Sequence, residues 1–161
     1  MKVTIYLVLI ATLLSTEGKA QTEEHHHHHD HDHHQNEIGV GNSLVYFTGE
    51  KEFAYGLHFH YIRNISKSKF GLGLAYERIF DEHGHNTFGI VGAYYPVERL
   101  HLSASPGITF EDGSSSVNFA FHLETSYAFE IQDFHIGPLL EFAYDPEDIH
   151  ISLGLHIGYG F

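Results

Sequence analysis

From residue 36 to residue 161 the chain alternates between two kinds of side chain with a period of two. The last segment shows it best. Ile149, Ile151, Leu153, Leu155, Ile157, Tyr159 and Phe161 share one face, and His150, Ser152, Gly154, His156, Gly158 and Gly160 share the other. Residues two apart on a strand point the same way, so this pattern predicts a β-strand with one greasy face and one small or polar face. The same pattern recurs over 53–61, 70–77, 88–94, 100–110, 117–129 and 136–144, and least regularly over 38–47. Turn-forming residues separate the segments: Thr48-Gly49-Glu50, Ser66-Lys67-Ser68, 81–86, Pro96-Val97-Glu98, Asp112-Gly113-Ser114, Gln132-Asp133 and Asp145-Pro146-Glu147. Eight strands of about ten residues predict an all-β fold, an eight-stranded antiparallel up-and-down transmembrane β-barrel. An even strand number puts both termini on one side of it.

Periodicity alone does not say which face is outside, because a soluble barrel has the opposite polarity. Size decides. An eight-stranded barrel has an interior just wide enough for its own side chains. The greasy face, rich in Phe, Tyr and Leu, overfills that space, whereas Gly, Ala, Ser and His suit it. The apolar face is therefore expected against lipid and the small face in the lumen. Tyr46, Tyr61, Tyr76, Tyr94, Tyr127, Tyr144 and Tyr159 stand near strand ends, where interfacial girdles form.

The first twenty residues read differently. Lys2 precedes an apolar run of about ten residues, Ile5 to Leu14, too short to span a bilayer as a helix. Gly18 and Ala20 supply the small side chains of a cleavage site, so residues 1–20 are expected to be a signal peptide. Residues 21–35 are low-complexity and polar, which predicts a disordered arm, periplasmic if the barrel lies in an outer membrane. The domain organisation is thus signal peptide 1–20, His-rich arm 21–35 and barrel 36–161. Cysteine is absent, which excludes disulfides and thiolate metal sites. Eight Lys and Arg against 21 Asp and Glu argue against nucleic acid as a partner.

The ending Leu155-His156-Ile157-Gly158-Tyr159-Gly160-Phe161 resembles the C-terminal signature of outer-membrane barrels. The barrel region as a whole resembles the small OmpA/OmpX-like barrels. Tyr95-Pro96-Val97-Glu98 with Ser105-Pro106-Gly107-Ile108 is similar to porin-family proteins of Bacteroidota. The resemblance implies a Gram-negative outer-membrane location, outer-membrane lipid as surroundings, and the barrel-assembly machinery as a partner reading the C-terminal strand.

The chain holds 17 histidines, and their placement carries the candidate chemistry. His25, His26, His27, His28, His29, His31, His33 and His34 cluster with Asp30 and Asp32. Imidazole and carboxylate are suitable ligands for Zn²⁺, Ni²⁺ or Cu²⁺, and a flexible tract can wrap several around one ion. This tract is the main candidate metal site, for capture, buffering or sensing, with a metal-transport partner to receive the ion. The alternative is a solvated spacer on a structural or surface-interaction barrel. His58, His60, His101, His122, His135, His150 and His156 fall on the lumen face with Glu77, Glu124 and Glu141. Of these, His58, His60, His122, Glu124 and His156 are the weaker metal candidates. The opposing reading is a hydrogen-bonded network that fills the lumen. His101 and His135 are expected near the end that carries the termini, His150 near the opposite rim, and His83 and His85 in a loop.

His101-Leu102-Ser103 and His150-Ile151-Ser152 have the His-x-Ser spacing of lipid-A deacylase barrels. In that pairing the imidazole would activate the hydroxyl. Both pairs face the lumen, away from any arriving acyl chain, so no catalytic residues are assigned and no enzymatic activity is expected.

Overall fold

In the computed structural model, residues 34–146 and 148–161 are described. The expected signal peptide and residues 21–33 of the expected arm lie outside them. Strand β1 spans Asn36–Phe47, β2 Glu52–Asn64, β3 Phe70–Phe80, β4 His85–Val97 and β5 Leu100–Glu111. They are followed by β6 (Asn118–Tyr127), β7 (Phe129–Ile131), β8 (Phe134–Tyr144) and β9 (Ile149–Gly160).

From β1 to β6 each strand pairs antiparallel with the next, β8 pairs with β9, and β1 pairs with β9. β6 and β7 lie on β8 in one register, Ser126 opposite Leu139 and Phe129 opposite Ile136. They are two parts of one barrel strand, interrupted at Ala128, whose N–H turns aside to the Arg99 carbonyl at 2.7 Å. Nine elements therefore make eight barrel strands, and the β6–β8 pairing closes the sheet. Closure leaves no sheet edge, the condition for a sheet to sit in lipid.

The outward face is apolar. Leu44, Leu140 and Leu153 form one cross-strand row, and Leu153 is 64% exposed. So much exposed apolar side chain is stable in hydrocarbon and not in water. Tyr61, Tyr94, Tyr127 and Tyr159 lie toward the end that carries the termini, and Tyr46 and Tyr144 toward the other. The inward face holds the small and polar residues, as the size argument requires.

Local departures from expectation have physical causes. Pro96 and Val97 belong to β4 and not to a turn; the register shifts between Tyr94 and Val97, which accommodates a residue without an N–H in the ladder. The connecting turn is Glu98-Arg99. β1, expected to be the least regular strand, alternates cleanly along its length. Its two last inward residues are apolar: Val45 and Phe47 pack with Ile79 into a buried cluster. That cluster closes the lumen toward the far end. Ile62, Val91, Ala93 and Tyr95 form a second apolar cluster on the wall nearer the termini.

Candidate metal centre in the lumen

From the Val45-Phe47-Ile79 cluster to the end that carries the termini, the lumen is a column of imidazoles and carboxylates, with the second apolar cluster on one wall beside it. It divides into two groups along the barrel.

The first group lies at the terminal end and is centred on Glu37 of β1. Its Oε1 is 3.3 Å from His60 Nε2 on β2 and 3.6 Å from His135 Nε2 on β8. His156 on β9 packs against both imidazoles, with ring centroids 4.9 Å from His60 and 5.1 Å from His135. His101 on β5 is 5.3 Å from the His135 ring. Two sets of three ligand atoms, Glu37-His60-His156 and Glu37-His101-His135, each lie within 4.8 Å of one another. His156 is 2% exposed, and both of its ring nitrogens lack a hydrogen-bond partner. Orphaned buried nitrogens are costly, so such a pair calls for an explanation.

Two glycines make the convergence sterically feasible. A Cβ on Gly39 would strike the His60 imidazole and stand 2.8 Å from His156 Nε2. A Cβ on Gly158 would strike the His135 ring. Glycine at these lumen positions lets the neighbouring strands' imidazoles lie flat against the backbone.

The second group lies deeper. His58 Nδ1 stands 3.2 Å from Glu124 Oε2 and 3.5 Å from Glu141 Oε2. His122 Nδ1 is 3.3 Å from Glu141 Oε2 and 3.5 Å from Glu77 Oε2. Glu141 also accepts a hydrogen bond from Ser152 Oγ at 3.3 Å. His150 lies edge-on to His122 and tilted against Phe47, with ring centroids 5.8 and 5.3 Å away, where the polar column meets the apolar plug. A cavity of about 10 Å³, room for about one water, lies between the two groups and is lined by His58, His122, Glu124 and Glu141 of the deeper one and His60, His101 and His156 of the terminal one.

Beyond the plug, β4 begins with His85, which had been expected in a loop. Its imidazole points inward, with Nδ1 2.8 Å from Asp81 Oδ2. The far rim is pinned by Arg78, whose Nη1 donates to Asn86 Oδ1 and Asp112 Oδ1, both at 2.8 Å. Arg78 and Asn86 hold the Asp112 carboxyl down, to about 2.

The structure splits the five lumen candidates read from the sequence. His60 and His156 belong to the terminal group; His58, His122 and Glu124 belong to the deeper one. Sequence reasoning gave no role to Glu37, the residue around which the terminal group is built. The alternation does extend back to it, since Glu37, Gly39, Gly41 and Ser43 share the inward face of β1. Of the tract candidates, His25 to His29, Asp30, His31, Asp32 and His33 lie outside the described residues. His34 lies inside them: it is exposed, its Nε2 is 3.6 Å from Asp133 Oδ1, and its ring lies against Gly160. Gly160 and Gly158 are two apart on β9, so His34 sits one inward position above His135.

No family model and no curated protein matches this sequence. Solved structures do. Neisserial surface protein A (NspA) superposes with a TM-score of 0.58 at 9% identity, over 78% of this chain and 96% of that one. Ail, the attachment invasion locus protein of Yersinia pestis, solved in complex with the heparin analogue sucrose octasulfate, gives 0.55 at 15% identity, over 78% and 96%. The N-terminal β-barrel domain of Pseudomonas aeruginosa OprF gives 0.51 at 17% identity, over 80% and 99%. Identities this low speak to the fold alone. Together with the closed sheet and the apolar exterior, they make this chain an eight-stranded antiparallel up-and-down transmembrane β-barrel.

Proposed function

We propose that this protein is an outer-membrane barrel that captures divalent transition-metal ions, Zn²⁺, Ni²⁺ or Cu²⁺, on the side that carries its termini. The observation that carries the reading is the continuity of donors at that end. The histidine tract of residues 25–34 ends in sequence at His34, which stands at the mouth one inward position above an imidazole-rich lumen group in which both ring nitrogens of His156 lack a hydrogen-bond partner. Imidazole-rich donor sets favour these metals over Ca²⁺ and Mg²⁺, which take oxygen ligands. The terminal end faces the periplasm in this reading, and the tract collects ions there for a metal-transport partner.

Capture fits the lumen better than conduction does. The free volume admits one water-sized body, and Val45, Phe47 and Ile79 close the column toward the far end. An enzymatic role has weak support, because Ser152 is sealed in the lumen and already donates to Glu141.

Calorimetric titration of Zn²⁺, Ni²⁺ and Cu²⁺ into residues 21–161 refolded in detergent tests the reading. Binding is expected with at least one of the three ions, and it should fade as pH falls below about 6, where imidazole takes up a proton. A chain that binds none of them at neutral pH overturns the proposal and leaves a structural or surface-interaction barrel.

A further inference from the structure

We infer that Glu37, His60 and His156 form one closed site for a single divalent transition-metal ion inside the barrel wall, with His135 and His101, which share Glu37 in a second triad, at its rim. The inference rests on the metal-binding reading above, but it assigns tight binding to the barrel and not to the tract.

Four arguments carry it. First, the donors converge from three strands brought together by closure: Glu37 on β1, His60 on β2 and His156 on β9, with their ligand atoms within 4.8 Å of one another. Glu37 Oε1 is hydrogen bonded to His60 Nε2 at 3.3 Å and lies 3.6 Å from His135 Nε2. Second, His156 is buried and its two ring nitrogens have no hydrogen-bond partner. Its Nε2 is turned over Gly39 beside that of His60. A metal ion would satisfy that nitrogen, which no protein group does. Third, Glu124 Oε1 lies 3.9 Å from the opposite ring nitrogen, Nδ1. That is beyond hydrogen-bond range, but a carboxylate so close in a buried site favours the partial positive charge an imidazole gains on ligating a metal. Fourth, Gly39 and Gly158 leave space that any larger residue would take from the imidazoles.

The donor chemistry separates this group from the deeper one. The terminal group offers four imidazoles around one carboxylate, a nitrogen-rich set suited to Zn²⁺, Ni²⁺ or Cu²⁺. In the deeper group three carboxylates face three imidazoles, with His58 Nδ1 3.2 Å from Glu124 Oε2 and His122 Nδ1 3.3 Å from Glu141 Oε2. Charge pairing between equal numbers of the two groups accounts for that set without an ion, whereas one carboxylate cannot serve four imidazoles.

The test uses residues 21–161 with all eight tract histidines changed to Gln, titrated with Zn²⁺ and with Co²⁺ as a spectroscopic stand-in. One ion per barrel is expected, with the visible absorption of four- or five-coordinate Co²⁺. Adding Glu37→Gln should weaken binding by about 100-fold or more, while Glu141→Gln leaves it within a few-fold. Should Glu37→Gln not fold, as judged by heat-modifiable gel mobility, His60→Gln takes its place, since His60 belongs to the same triad and the change keeps a side chain of similar size. Loss of all binding in the tract variant, with binding retained in the parent chain, overturns this site and leaves the proposed function standing. Absence of binding in both overturns both. Binding that survives Glu37→Gln or His60→Gln but not Glu141→Gln moves the ion to the deeper group and overturns the assignment.

Discussion

Glu37 and His60 meet across the β1–β2 ladder on a diagonal, two residues out of register. Their backbones pair with Ile62 and Gly39 and not with each other, yet Oε1 and Nε2 are 3.3 Å apart. The missing side chain at Gly39 creates this diagonal contact, since the His60 ring leans over it toward Glu37. A contact of this kind depends on a glycine as much as on the two residues that make it.

Gly39→Val is therefore expected to disturb the terminal group without touching a donor atom. The added side chain would displace the His60 and His156 rings. Metal affinity measured in the tract-substituted barrel should fall by about 10-fold or more, as when an orienting neighbour of a ligand is lost. Gly92 faces outward with open space around it, so Gly92→Ala provides the control that should leave affinity unchanged.

Glu141 is the most connected carboxylate of the deeper group and is 2% exposed. Glu141→Ala strips His58, His122 and Ser152 of an acceptor at once and leaves buried polar atoms unpaired. A loss of about 3–5 kcal/mol is expected, with Glu141→Gln losing less because it keeps an acceptor oxygen. Urea unfolding and refolding in lipid vesicles, followed by tyrosine fluorescence and gel mobility, gives both values. Equal losses for the two variants would count against the hydrogen-bonded network.

The apolar exterior makes a depth-dependent prediction. Leu153→Arg, near the middle of β9, should cost about 2–4 kcal/mol in bilayers, and Ile131→Arg, at the rim of the β7–β8 hairpin, about 0–1 kcal/mol. Both side chains are more than half exposed, so packing loss is similar and depth in lipid makes the difference. The same unfolding assay measures it.

The far rim has its own pH dependence. The hydrogen bond from Arg78, then that from Asn86, holds the Asp112 carboxyl down to about 2, below the ordinary value near 3.9. A depressed carboxylate contributes stability that is fully present above its unfolded value and is lost as pH falls through its folded value. The Arg78–Asp112 clamp should thus hold down to about pH 4 and release between about 4 and 2. Asp112 is exposed, so screening keeps the effect local. Amide exchange in the loop after Asp112 should rise over that window, and Arg78→Gln should move its midpoint up to about 4.

Planar-bilayer recording checks the closed lumen. No sustained single-channel current is expected from the parent barrel, because the cavity among its lumen imidazoles holds about one water and Phe47, Val45 and Ile79 pack into a buried apolar cluster toward the far end. Steady ion current would refute the capture reading in favour of conduction.

The alternation of residues alone determined the strands, their number, the closed topology and the outward direction of the apolar face. Each of these follows from local geometry: successive strand side chains point to opposite faces, and a narrow lumen cannot hold the bulky set. His58, His60, His122, Glu124 and His156 were legible as lumen residues for the same reason. Which of them meet was not legible. Contacts inside a barrel depend on the stagger between strands, and the sequence does not display the stagger. Tertiary structure alone decided that His60 and His156 join Glu37, while His58 and His122 join Glu141. It also placed His135 and His156 beside residues of β1 and β2, about a hundred positions earlier in the chain, because closure pairs the first strand with the last.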